Sequence, residues 1–210
     1  MPELPQTPRP DEDRVARPDL DGLRVLAHPL RLRLLGLLRS DGPATASQLA
    51  TRTAQSSGTT SYHLRQLEAG GFVAEATDRG NGRDRWWRAT QRSTRWDFDD
   101  EPDAEADAVG EQYLRAVAET YARRTDASIN ALPTLEDDLG PGWRRAFSLS
   151  DYQLRLTREE AEQLVADLEA LAERYRRNDP EQREAAPDGA ARVALHFAVL
   201  PQIGSVLASS

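Results

Sequence analysis

A chain of 210 residues, 39% apolar and 30% charged, has room for one large domain or two small ones with a modest core. It contains no cysteine, which excludes disulfides, thiolate metal sites and thiol redox sensing, and all 27 of its basic residues are arginine. The net charge of −8 is unevenly spread: residues 17–96 carry 13 arginines against 7 acids, whereas residues 97–210 carry 12 against 24. A basic segment joined to an acidic one is the arrangement expected of a nucleic-acid-binding domain with a separate partner or sensor region.

Residues 1–17, rich in proline and alternating charge, predict a disordered leader. They contain no apolar segment, and the longest apolar run in the chain is about Val193–Leu200, so neither a signal peptide nor a membrane span is expected and the protein is placed in the cytoplasm. Asp19–Ala27 predicts a short helix with Leu20, Leu23, Val25 and Leu26 available to a core. His28-Pro29 interrupts it, and Pro29 suits the first turn of the next helix, Pro29–Arg39, whose Leu30, Leu34, Leu37 and Leu38 recur at helical spacing. His28 reads as a core or capping histidine. After the turn cluster Ser40–Pro43, Thr45 or Ser47 can cap a short helix ending near Thr53, with Ala46, Leu49 and Ala50 inward.

The stretch Ser56–Phe72 (SSGTTSYHLRQLEAGGF) predicts a helix followed directly by a strand. Ser56 and Ser57 are N-cap residues, Tyr62, Leu64 and Leu67 are expected to anchor the helix, and Gly70-Gly71 ends it where a positive φ is needed. Two short helices ending in this one form a helix-turn-helix, with Ser56, Ser57, Thr59, Thr60, Ser61, His63, Arg65 and Gln66 offering hydrogen-bonding groups to a DNA groove. Phe72–Thr77 and Arg85–Ala89 alternate like half-buried strands, and the glycines and asparagine between them suit a hairpin tip. Arg79, Arg83 and Arg85 bracket that tip and are expected to reach phosphates or a minor groove. Trp86 and Trp87 should point to opposite faces.

Three segments, LAHPLRLRLLGLL, SYHLRQLEAGGFV and GRDRWWRA, resemble the second helix, recognition helix and wing of ArsR-type winged helix-turn-helix regulators, in a branch that does not sense metals. The resemblance covers about Asp19–Thr90. It departs from the usual pattern at Thr53 and Gln55, where larger apolar residues are common, and at Ala54, where glycine is frequent; a looser turn is expected there.

Asp97–Asp107 has seven acids in eleven residues and predicts a solvated linker. A long helix follows, about Ala104–Ala127, with Val109, Tyr113, Val117, Thr120 and Tyr121 near one face; the resemblance implies dimerisation through such a helix. Leu132–Gly142 reads as loop, Arg144–Leu156 as a strand irregular near Ser150-Asp151, and Thr157 with Glu160 as a capping box opening a helix with a stripe from Ala161 to Tyr175. Beyond a polar linker, Arg192–Leu200 reads as a buried strand. The fold class expected is α+β, a winged helix-turn-helix domain followed by a helical or α+β dimerisation or effector region. Its boundaries are leader 1–17, DNA-binding domain 18–96, acidic linker 97–107 and second region 108–210.

The three histidines, His28, His63 and His196, lack metal-ligand spacing, and no catalytic or phosphate-binding motif stands out, so neither enzyme activity, nor metal, nor cofactor is expected. The function expected is a sequence-specific transcriptional regulator, a repressor acting as a homodimer on double-stranded DNA. The second region serves as dimer scaffold or as a small-molecule effector pocket. The alternative is a winged-helix module whose basic face binds an acidic protein.

Overall fold

The computed structural model describes residues 15–77, 84–96, 103–175 and 187–202. In chain order the elements are β1 (Val15–Ala16), α1 (Leu20–Leu26), α2 (Pro29–Asp41), β2 (Ala44–Thr45), α3 (Ala46–Thr53), α4 (Ser57–Ala69), β3 (Val73–Glu75), β4 (Trp86–Ala89), β5 (Ser93–Thr94), α5 (Ala104–Asn130), α6 (Leu135–Leu139) and α7 (Arg158–Glu173). They fall into two compact units, one built on the described residues from 15 to 134, the other on 135–175 with 189–202. The molecule is therefore α+β: a winged helix-turn-helix with a small sheet, followed by a helical region.

Side-chain caps set the helix starts of the first unit. The Asp19 carboxylate accepts from the Gly22 N–H at 2.8 Å, and the His28 Nδ1 accepts from the Leu30 N–H at 3.1 Å with Pro29 in the first turn. Thr45 and Gln48 cap α3 reciprocally, at 2.9 and 3.2 Å. Each bond satisfies a backbone N–H that the helix itself leaves unpaired. The helices then bury one face in common: Leu23 and Leu26 of α1, Leu34, Leu35 and Leu38 of α2, Leu49 of α3, Leu64 and Leu67 of α4. Complete burial of a leucine is worth about 1.5–3 kcal/mol.

The sheet order is β2-β4-β3, antiparallel throughout, with Ala44 opposite Trp87 and Glu75 also opposite Trp87. Trp87 is buried in the core while Trp86 is half-buried, as the alternation predicts. β1 runs parallel to β5, so Val15 and Ala16, expected in the disordered leader, lie in a strand instead. Their partner lies far along the sequence, beyond the reach of a local reading of composition. Residues 1–14 of the expected leader lie outside the described residues.

The acidic linker expected over 97–107 gives way at Asp103, which caps α5 by accepting from the Glu105 and Ala106 N–H groups, so its last residues form a helix turn. Negative charge is favoured there by the helix dipole. The stripe on α5 is covered by the chain itself: Tyr113, Ala116 and Thr120 are buried. The helix passes so close to Trp96 that a Cβ on Gly110 would collide with the indole; Trp96 also stands edge-on to Tyr113 with ring centres 6.2 Å apart. Arg39 ties the layers together, donating to the Gln91 and Ser93 carbonyls and to Thr94 Oγ1. Burial lowers its pKa to about 10, which leaves it charged at neutral pH. Burial also pushes the Tyr113 hydroxyl up to about 12, with Tyr121 adding to the rise and Arg39 opposing it.

In the second unit α7 starts at the expected capping box, Thr157 with Glu160. The expected loop over 132–142 contains a 3-10 turn, Leu132–Thr134, and the short α6. The two expected strands do not form. Residues 144–146 belong to a 3-10 turn, and neither 147–156 nor 192–200 enters a ladder among the described residues. Period-two alternation marks a segment able to pair, but a strand exists only where a second one lies alongside.

Candidate nucleic-acid interface

The turn between α3 and α4 is compact. Ala54 adopts the left-handed conformation, φ 55° and ψ 43°, where glycine would be unstrained. Arg33 from α2 donates to the carbonyls of Arg52 (2.8 Å) and Thr53 (3.3 Å), closing the C-terminal end of α3. The looser turn expected from Thr53, Ala54 and Gln55 is thus held by a cationic cap, and Thr53 is buried with its hydroxyl donating to the Leu49 carbonyl at 2.7 Å. Ser56 then caps α4, its Oγ accepting from the Thr59 N–H at 3.0 Å. At the other end Gly71 takes φ 76°, and the Phe72 N–H returns to the Leu67 carbonyl, turning the chain into β3.

The inward face of α4 is Thr60, His63, Leu64 and Leu67. Two residues expected to face a groove therefore face the core: Thr60 is 0% exposed and His63 8%. Tyr62, expected as an anchor, is 51% exposed. Leu64 and Leu67 fix the helical phase, and three or four residues before them lie 60 and 63, whatever their polarity. Ser56, Ser57, Thr59 and Arg65 are exposed, and Ser61 and Gln66 are half-exposed. With Tyr62 they form the outward surface of the helix.

The His63 ring lies against His28, ring centres 4.5 Å apart, and edge-on to Tyr62. Burial lowers the pKa of both histidines; Arg31 lowers that of His28 further, and His28 and Arg31 that of His63. His63 Nδ1 and Thr60 Oγ1 are buried without a hydrogen-bond partner among the described residues. Neutral imidazoles thus support α4 from behind.

Of the three wing arginines, Arg79 and Arg83 lie outside the described residues. Arg85 stands at the base of the hairpin and is engaged within the protein: it donates to Glu75 (2.7 Å) and Glu68 (3.0 Å) and lies over the Trp87 ring at 4.4 Å. Its charge joins the end of α4 to the hairpin. Arg88, not among the residues expected to meet DNA, is exposed on β4 opposite Ala74; its alternation with the buried Trp87 beside it is the signal that marks it.

Residues 26–76, from the end of α1 to just beyond β3, match the family model for a helix-turn-helix domain. No curated protein matches the chain. The fold and the match together define a helix-turn-helix protein of the DNA-binding regulator class. Among the described residues no helix is long and apolar enough to cross a membrane, and no group of three or more metal-binding side chains is present.

Proposed function

We propose that the chain is a cytoplasmic, sequence-specific transcriptional repressor of the ArsR-like, non-metal-sensing kind, acting as a homodimer on a two-fold-related operator. The observation that carries this reading is the outward surface of α4, where Ser57, Thr59, Tyr62, Arg65 and Gln66 stand clear of the core within the helix-turn-helix match. Hydroxyls, an amide and a guanidinium at that spacing suit base edges and phosphates in a major groove. In this reading Arg79, Arg83 and Arg88, the last exposed on β4, neutralise phosphates. Support for a homodimer comes from α5, which leaves Leu114, Tyr121 and Ile129 exposed beside its buried stripe. We assign residues 18–96 to DNA binding and 108–210 to dimerisation or ligand sensing.

Selection from random duplex DNA with the full chain tests the reading. A two-fold-related site with half-sites about one helical turn apart is expected. Arg65→Ala should relax preference at one position per half-site, costing about 1–3 kcal/mol against the preferred base. Arg79→Ala or Arg83→Ala should weaken all sequences alike and flatten the salt dependence by about one unit for each phosphate no longer neutralised. No enriched sequence, with affinity for duplex weaker than about 10 μM at moderate salt, would overturn it. In that event the exposed Tyr62 and the basic hairpin would favour the protein-interaction module.

A further inference from the structure

The second unit contains two segments that are strands in sequence but not in the ladder pattern of the chain. In 147–156, Tyr152, Leu154 and Leu156 alternate with Gln153 and Arg155; in 192–200, Val193, Leu195, Phe197 and Val199 alternate with Ala194, His196 and Ala198. Tyr152 is 78% exposed and Val193 73%, and Leu149, Leu154, Leu195 and Leu200 are all more than half exposed. Neither segment is in a ladder among the described residues. Beside them the α7 stripe is no better covered. Ala161, Leu164, Val165 and Leu168 reach only half burial, and Leu154, Leu156 and Leu164 line an open groove of about 280 Å³.

We infer that these two segments form a sheet between two copies of the chain, residues 147–156 of one copy pairing with 192–200 of the other over the α7 stripe. The inference rests on the homodimer reading above and names a surface for it. Three observations point to a second copy. The first is area. Ten large apolar side chains in this unit, from Leu149 to Leu200, are more than a third exposed. At about 100 Å² each they present on the order of 1,000 Å² in sum, comparable with the ~800 Å² per partner that a stable interface buries.

The second observation is form. Extended apolar segments are covered by another strand, and the chain offers two of matching length, ten and nine residues, with the same alternation. In a two-fold pair each copy gives one segment and receives the other twice over, which closes the assembly. The third is charge. The 147–156 segment has one acid, Asp151, and one base, Arg155, while 192–200 has only Arg192, so the paired segments themselves carry little charge, and the acids of the surface, Glu160 and Asp167, stand on α7 beside them. Nucleic acid would demand a surplus of cations that these segments lack.

The absence of native cysteine makes cross-linking clean. Full-length chains bearing single cysteines at 152, 154 or 156 would be mixed with chains of different mass bearing them at 193, 195 or 197, then oxidised. Mixed disulfide dimers are expected, from at least one pairing and above the yield of either variant alone. In sedimentation, Leu154→Pro, which removes a ladder donor, and Val193→Arg should each raise the dimer dissociation constant at least tenfold while the helical circular dichroism is retained. Disulfides forming only within one chain when both cysteines share it would overturn the inference. So would a dimer weakened by Leu114→Asp but untouched by both segment variants, an outcome that leaves the homodimer reading standing. A wild-type chain that is monomeric at tens of micromolar removes both.

Discussion

The two units start from similar patterns and end differently. Each has an amphipathic helix with a capping box, and each has short alternating segments with aromatic residues. In residues 15–134 those patterns end in a continuous buried core; in 135–175 with 189–202 no described side chain is buried. The difference is one of available partners. α4 has α2, α3 and the sheet around it, while α7 and its flanking segments have no comparable layer within their own unit. Amphipathic patterning states which face wants covering, and the supply of a cover is a separate matter.

Truncation of one leucine in each unit should separate the two most strongly. Leu64→Ala, at a fully buried site, should cost about 2–5 kcal/mol in urea denaturation, whereas Leu149→Ala should cost no more than ~0.5 kcal/mol when the protein is dilute enough to be monomeric. A cost at Leu149 that grows with protein concentration would locate the missing cover in another molecule.

Acid should act on the first unit. Burial and neighbouring positive charge hold His28 and His63 below the ordinary histidine value of 6.5. The unfolded chain therefore binds protons that the folded one refuses, and stability present above pH 6.5 is lost as the pH falls through the folded values. Protonated His28 also loses the Nδ1 lone pair that caps α2. Thermal melts from pH 7.5 downward should show this decline, and it should shrink in His28→Asn, which keeps a capping side chain, combined with His63→Gln. A melting point as acid-sensitive in the double variant as in the parent would refute this account.

The smallest effect is at the turn. Ala54→Gly relieves a left-handed alanine costing about 1–2 kcal/mol but adds about 0.5–1 kcal/mol of chain entropy. Calorimetry should find a net gain below about 1 kcal/mol. A loss would mean that Arg33 and the Thr53 hydroxyl, rather than residue 54, set the turn.

Much of the first unit is legible in the sequence because its signals are local. Asp19, Thr45 and Ser56 mark helix starts, Gly71 marks an end, and the Trp86-Trp87 alternation marks β4. The phase of α4 comes out wrong when polarity is given more weight than period: Thr60 and His63 look like surface residues, yet they share a face with Leu64 and Leu67. The engagement of Arg85 with Glu68 and Glu75 is hidden for another reason, since its partners lie 17 and 10 residues away on different elements. In the second unit the apolar alternation shows a capacity to pair, but not whether a partner will be found.

The parallel pairing of β1 with β5 has a consequence for the time course of synthesis. Val15 and Ala16 are made long before Ser93 and Thr94, and every helix of the helix-turn-helix lies between them. Closing so long a loop is entropically costly until the intervening chain is compact. On the ribosome, α1 to α4 are therefore expected to collapse before the clasp between the two short strands, with Arg39 donating to Ser93 and Thr94 beside it, can close. A nascent chain stalled before β5 would hold a formed α4 in a domain still open at its first strand.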